Sequence, residues 1–206
     1  MKKTTKRIIL ASSSPRRIEM MKNNGYTPEI IPADVDESIH INMSCEAAAM
    51  SLAYKKASHV AEITAADSPC ASNHDGCIII AADTIVVHDN IIIGKPASED
   101  EAFDVLSRLR NDSHYVMTGV AVIDTAANIK HCFCDTTAVY FNDYSDAELL
   151  EYVKTAEPYD KAGGYAIQGT FAKYIDRIEG DYDNVVGFPW YRIESYLTSA
   201  LSTSLE

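Results

Sequence analysis

Ile8-Ile9-Leu10-Ala11-Ser12-Ser13-Ser14-Pro15-Arg16-Arg17 reads as an apolar strand that passes through three hydroxyl residues straight into a helix. Ser14-Pro15 has the order of an N-cap and first helical residue, because proline's fixed φ suits that position and its missing N–H costs nothing there. The helix is predicted from Pro15 to Asn24 and ends at Gly25, a natural residue for the turn after a helix. Arg16 and Arg17 then fall in the first turn, against the positive end of the helix dipole. Two cations in that position imply an anion to meet. Backbone N–H groups, serine hydroxyls and two guanidinium groups together make a phosphate-binding corner.

Working outward, strands and helices alternate. Thr27 to Ile31 is predicted as a short strand, and Glu46 to Ala65 as a long helix capped by Ser44. Ala66 to Gly76, rich in Asp, Ser, Pro, Asn and Gly, reads as a loop. The β-branched run Ile78 to His88 is a central strand turning at Asp89-Asn90 into Ile91-Ile92-Ile93. Ser98 with Glu101, and Ser145 with Glu148, are capping boxes for helices ending near Arg110 and Thr155. Between those helices, Tyr115 to Asp124 and Ile129 to Phe141 form a long hairpin. Further strands are predicted at Tyr165 to Ile167 and Phe171 to Ile178, and a last helix from Pro189 to Leu201. Helical crossovers and tight hairpins together predict an α/β domain of mixed α+β character with a mixed sheet.

The chain has 206 residues, 47% hydrophobic and 23% charged, which suits one soluble domain over residues 1–206. Its net charge of −12 excludes nonspecific binding to nucleic-acid polymers or acidic membranes. The apolar run behind Lys2, Lys3, Lys6 and Arg7 is too short for a leader, and nothing approaches transmembrane length, so a cytoplasmic location is expected. The five cysteines contain no Cys-x-x-Cys pair. Cys132 and Cys134 share one strand face and read as small hydrophobes, while Cys70 and Cys77 flank a loop with His74 and Asp75 in which a metal site is conceivable but a solvated loop is favoured.

Asp83 interrupts an apolar strand. A buried carboxylate costs several kcal/mol, on the order of magnitude, unless a cation, a metal or a proton offsets it. The bland reading is a strand-end acid paired with one arginine; the sharper one is a functional carboxylate. Asp34-Val35-Asp36-Glu37, alone a solvated turn, could join Asp83 in holding a divalent cation that bridges to substrate phosphates. Lys95 leaves a hairpin in Gly94-Lys95-Pro96, and Asp160 to Gly169 combines an ion pair, glycines and the Gln168 amide, which can both donate to and accept from a base edge. No Walker or dinucleotide fingerprint is present, and no Ser–His–acid set can be drawn.

These residues resemble the Maf proteins. Ala11-Ser12-Ser13-Ser14-Pro15-Arg16-Arg17, Asp36-Glu37, Leu52-Ala53-Tyr54-Lys55-Lys56-Ala57, Ala82-Asp83-Thr84, Gly94-Lys95-Pro96, Thr118-Gly119, Asp160-Lys161-Ala162-Gly163 and Ile167-Gln168-Gly169 stand in that family's order. One motif would be weak; eight in order are specific. The resemblance implies a two-lobed fold related to the inosine triphosphate pyrophosphatases, with a cleft between lobes. It also implies nucleoside triphosphate hydrolysis to the monophosphate and pyrophosphate, in the branch acting on dTTP and UTP; a weaker rival is a house-cleaning enzyme for modified pyrimidine nucleotides, which needs the same pocket. By position it makes Asp83 the proton acceptor, with Arg16, Thr84 and Gln168 setting nucleotide choice. Ser12, Arg17, Lys56 and Lys95 would hold phosphates. Glu37 with Asp83 would bind Mg²⁺, Mn²⁺ or Co²⁺, and a homodimer is compatible with the family. The competing reading is a nucleotide-sensing regulator of septum formation and cell-division arrest without turnover. The intact set of Asp83, Glu37, Lys56 and Lys95 weighs against it.

Overall fold

In a computed structural model, residues 6–39, 43–67 and 76–202 are described. The chain runs β1 (Arg7–Leu10), α1 (Pro15–Asn23), β2 (Glu29–Ile30), α2 (Cys45–Asp67), β3 (Cys77–His88), β4 (Ile91–Ile93), α3 (Glu99–Leu109), β5 (Ser113–Asp124), β6 (Ile129–Phe141), α4 (Asp146–Val153), β7 (Ile175–Glu179), α5 (Tyr182–Val186) and α6 (Trp190–Ser202). The sheet is mixed, with order β2-β1-β3-β5-β6-β7 and β4 added to β3. β1 is parallel to β2 and β3, whereas β4 is antiparallel to β3 and β7 to β6. The expected α/β class with a mixed sheet is what the chain adopts. The loop reading at Ala66 to Gly76 gives way to helix as far as Asp67. Residues 68–75, with Cys70, His74 and Asp75, lie outside the described residues.

The chain divides into two compact units: residues 1–83, 119–134 and 187–206 form the first, and residues 84–118 and 135–186 the second. Strand alternation builds the first unit. Ile8, Leu10, Ile78, Ile80 and Ala82 share one face and pack with Met21 of α1 and Ile193 and Leu197 of α6. Ile9, Ala11, Ile79 and Ala81 share the other and pack with Ala53, Ala57 and Val60 of α2. Small residues let α2 lie close to the sheet, and a Cβ on Gly119 would overlap the Ala49 carbonyl. Asp83 has the parity of Ile79 and Ala81, so it continues the α2 face.

The second unit has its own core of Val86, Ile93, Leu106, Leu109, Phe141, Tyr144, Phe171 and Tyr174. Asp89 and Asn90 take φ of 49° and 62°, the left-handed pair that a two-residue hairpin demands. Ser145 and Glu148 form the complete capping box. At α3 only half of it exists: Ser98 accepts from the Glu101 N–H, but the Glu101 carboxylate turns to the Ala97 N–H at 2.8 Å. The strands expected at Tyr165 to Ile167 and Phe171 to Ile178 are corrected. Thr170 to Tyr174 is a 3₁₀ turn, and extended pairing begins only at Ile175. The Glu157 carboxylate takes the Thr170 N–H and hydroxyl, the latter at 2.7 Å, and winds the chain there. Phe171 and Tyr174, three apart, then enter one core. The short helix α5 was not expected. Cys132 is exposed and Cys134 half-buried, so neither is a core residue.

His114 is 1% exposed, with Nε2 2.6 Å from the Tyr165 hydroxyl. Burial pulls its pKa down to about 3; His88 pushes the same way and Asp112 opposes. Free imidazole titrates near ~6.5, so between these values the unfolded chain binds the extra proton. This stability is therefore full above ~6.5 and lost as pH falls toward 3, with a slope of up to ~1.4 kcal/mol per pH unit. Thermal melts between pH 7 and 5 are expected to show that slope in the wild type and a flatter one in His114→Gln. Equal slopes would refute the assignment.

Candidate active site

The first unit contains a lysine-bridged acid pair. Lys56, on α2 beside Ala57 of the packed face, places Nζ 2.5 Å from Asp83 Oδ1 and 2.6 Å from Glu37 Oε1. The Asp83 and Lys56 side chains are 13% and 14% exposed, while Glu37 is 58% exposed and draws the pair toward solvent. The loop that carries Glu37 is tied down by its neighbour: Lys55 Nζ donates to the carbonyls of Asp36 and Ser38 at 3.4 and 3.1 Å. Two adjacent lysines therefore have different tasks, one on the acids and one on the loop.

The donor set suits a hard divalent cation. Two carboxylates already point at one positive charge, and phosphate oxygens and water would supply the remaining ligands, the usual arrangement for Mg²⁺. Among the described residues no group of three His, Cys, Asp or Glu side chains could hold a metal by itself.

At the start of α1, Ser14 has extended N-cap geometry but its hydroxyl caps nothing. Ser12 Oγ instead accepts the Ser14 N–H at 3.2 Å and Arg17 Nη1 at 3.3 Å. Both contacts use lone pairs, which leaves the Ser12 proton as the group to offer an anion. Arg17, expected as a phosphate clamp, directs donors at the protein itself. Nε reaches the Gly187 carbonyl at 2.8 Å, and Nη1 reaches the Ala82 carbonyl at 2.8 Å as well as Ser12. Burial brings its guanidinium down to about 10, with the Asp83 charge opposing, so it stays cationic at neutral pH. Arg17 thus braces the strand bond just before Asp83. Arg16, half-buried, makes no side-chain hydrogen bond or ion pair among the described residues.

In the second unit, Lys95 is exposed on the turn after β4. That turn is fixed by the Gly163 N–H, which donates to the Gly94 carbonyl at 3.0 Å. Gly163 has a φ of 71° and lies against Val86, where a Cβ would press on the valine side chain. Lys161 pairs with Asp160 at 2.5 Å and donates to the Glu157 carbonyl at 2.8 Å. Gln168 is exposed on the turn closed by the Gly169 N–H to the Ala166 carbonyl. Glu157 clamps Thr170, two residues further on, and so fixes where Gln168 is presented. Thr84 bonds the Thr118 hydroxyl at 2.9 Å. Glu157, Thr118 and Asn184 were not expected as site residues. Only Thr118 carried a signal, the Thr118-Gly119 step among the ordered motifs.

These features define a class: a mixed-sheet α/β protein with an anion-receptive helix start beside a lysine-bridged acid pair. The chain belongs to the Maf family, whose model, described as Maf-like protein, matches residues 7–200. It is 44% identical over 192 residues to the dTTP/UTP pyrophosphatase of Caldicellulosiruptor bescii, covering 93% of this chain and 94% of that one. It is 42% identical to the dTTP/UTP pyrophosphatase of Geobacillus sp. strain WCH70 over 187 residues, 91% and 94% of the two chains. With that of Alkaliphilus oremlandii the figures are 40% over 200 residues, 97% and 99%. No helix among the described residues is long and apolar enough to cross a membrane.

Proposed function

We propose that this chain hydrolyses dTTP and UTP, and modified pyrimidine analogues of them, between the α- and β-phosphates. The products are the nucleoside monophosphate and pyrophosphate. The observation that carries this reading is the bridged pair: Asp83, nearly shielded from solvent, lies 2.5 Å from an ammonium that also holds Glu37. Asp83 is the proton acceptor. It orients a water and takes its proton as the oxygen bonds to the α-phosphorus; the bond from that phosphorus to the bridging oxygen breaks, and pyrophosphate carries off the electron pair. Ser12, Arg16, Lys56 and Lys95 hold phosphate oxygens, and Arg17 adds its charge while bracing the chain before Asp83. A triphosphate brings about four negative charges, and fixed cations offset the charge that shifts in the transition state. Glu37 and Asp83 are the carboxylates for a divalent cation, which when bound supplies Lewis-acid neutralisation at the phosphate oxygens. Arg16, Thr84 and Gln168 choose the nucleotide.

The test is a panel of canonical and modified triphosphates with Mg²⁺, Mn²⁺ or Co²⁺, read as pyrophosphate release. Fastest release from dTTP and UTP, abolished by EDTA, is expected. Tight binding without release from any triphosphate would overturn the enzyme reading and favour a nucleotide sensor.

A further inference from the structure

In the second unit the turn that carries Gln168 is held by a residue outside it. The Gly169 N–H donates to the Ala166 carbonyl at 2.9 Å, which puts Gln168, exposed, at the third position of a four-residue turn. The Gln168 amide makes no hydrogen bond among the described residues. Just past the turn, the Glu157 carboxylate accepts the Thr170 N–H at 3.0 and 3.1 Å and the Thr170 hydroxyl at 2.7 Å. Glu157 Oε1 also lies 3.3 Å from the hydroxyl of Tyr152, a core residue that is 6% exposed. An ionised carboxylate can accept several donors at once, and such charge-assisted bonds are roughly twice as strong as neutral ones. The clamp ties the turn to the core of the unit.

Gly169 belongs to the same contact. Its φ of −98° is open to any residue, so the backbone does not demand glycine there. The carboxylate does: a Cβ on Gly169 would lie 1.8 Å from Glu157 Oε1. A side chain at 169 and a carboxylate on Thr170 exclude each other. The Glu157 carbonyl is held separately, by Lys161 Nζ at 2.8 Å, and that bond survives any change of the 157 side chain. The clamp can therefore be opened from either side while the chain keeps its other tie.

We infer that Glu157 is a positioning residue for base choice: by clamping Thr170 it holds the Gln168 amide where the edge of a uracil or thymine ring meets it. This rests on the dTTP/UTP reading of the site, in which Gln168 faces the base. Uracil offers N3–H beside the O4 acceptor, whereas cytosine offers a lone pair at N3 beside an amino group, the reverse pattern. An amide tells the two apart only when it is held within about 0.5 Å of its place. A polar pair left unmatched loses water and gains no partner, which is what makes such discrimination strong. Phosphates are assigned to other residues, so the clamp acts on the base alone.

The test measures kcat and KM with UTP and CTP, and inhibition by methyl triphosphate, which has the phosphates and no base. It compares the wild type with Glu157→Ala, Gly169→Ala, Gln168→Ala and the Glu157→Ala/Gln168→Ala double variant, with a melting curve for each. Glu157→Ala and Gly169→Ala are each expected to raise KM for UTP about tenfold and to lower the UTP to CTP ratio in kcat/KM by a similar factor. Inhibition by methyl triphosphate should keep its wild-type strength in both. The double variant should match Gln168→Ala, because a clamp that acts through the amide then has nothing left to place. A folded Glu157→Ala or Gly169→Ala with the wild-type ratio would overturn the inference. So would an equal loss of affinity for methyl triphosphate, or effects that multiply in the double variant. Unfolding of both single variants would overturn it too, since the carboxylate would then serve the fold and not the base. Failure of the wild type to hydrolyse UTP or dTTP at all would instead overturn the functional reading and this inference with it.

Discussion

Asp83→Asn is expected to lower kcat for UTP by about a thousandfold or more while the chain stays folded. General base catalysis contributes roughly 10²–10⁴ in rate, and this carboxylate is also one of the two proposed to hold a divalent cation. The amide has nearly the same shape but can neither accept the water proton nor match a metal's charge. Folding should survive, because Lys56 retains Glu37 as counter-ion at 2.6 Å and is not left as an unpaired buried charge. The check is steady-state kinetics beside a thermal melt. Loss of rate with an intact melt supports Asp83 as the proton acceptor. Turnover within a few-fold of wild type would remove it from that role.

The second large effect separates the two arginines. Arg17→Ala removes donors from the Gly187 and Ala82 carbonyls, both within 2.8 Å, and from Ser12. Hydrogen bonds to charged groups are worth about 1.5–3 kcal/mol each. Allowing for water entering the gap, a net loss of about 3 kcal/mol is expected, or a fall in melting temperature of roughly 6–12 °C for a chain of this size. Arg16→Ala touches no such contact, so its melting point should stay within about 2 °C, while KM for the triphosphate rises and the choice of base weakens. Calorimetry of both variants with one kinetic titration each is sufficient. Equal melts with equal losses of affinity would mean that both arginines serve the phosphate alike.

Much of the fold was readable because its signals are local. The run from Ile78 to His88, the Asp89-Asn90 turn, Pro15 after Ser14 and the Ser145–Glu148 box each act within a few residues. The segment from Tyr165 to Ile178 was misread for the opposite reason. Its apolar residues look like strand, but the Glu157 carboxylate, thirteen residues upstream of Thr170, fixes a 3₁₀ turn. At the site, the residue types were visible and their partners were not. Asp83 needed a cation, yet nothing local picks Lys56, twenty-seven residues earlier, over Lys55 beside it. Strand parity and α2 packing make that choice. Arg17 likewise looked like a ligand-facing charge, because its carbonyl acceptors lie 65 and 170 residues away. The ordered motifs carried the family, and only the fold separates bracing residues from those that face a ligand.

In the proposed mechanism water attacks the α-phosphorus of a pyrimidine nucleoside triphosphate. Turnover of UTP in ¹⁸O-labelled water, with products resolved by ³¹P NMR and mass spectrometry, tests it most directly. UMP carrying the ¹⁸O, with unlabelled pyrophosphate, is the expected result. UDP with orthophosphate, or ¹⁸O in the pyrophosphate, would contradict it.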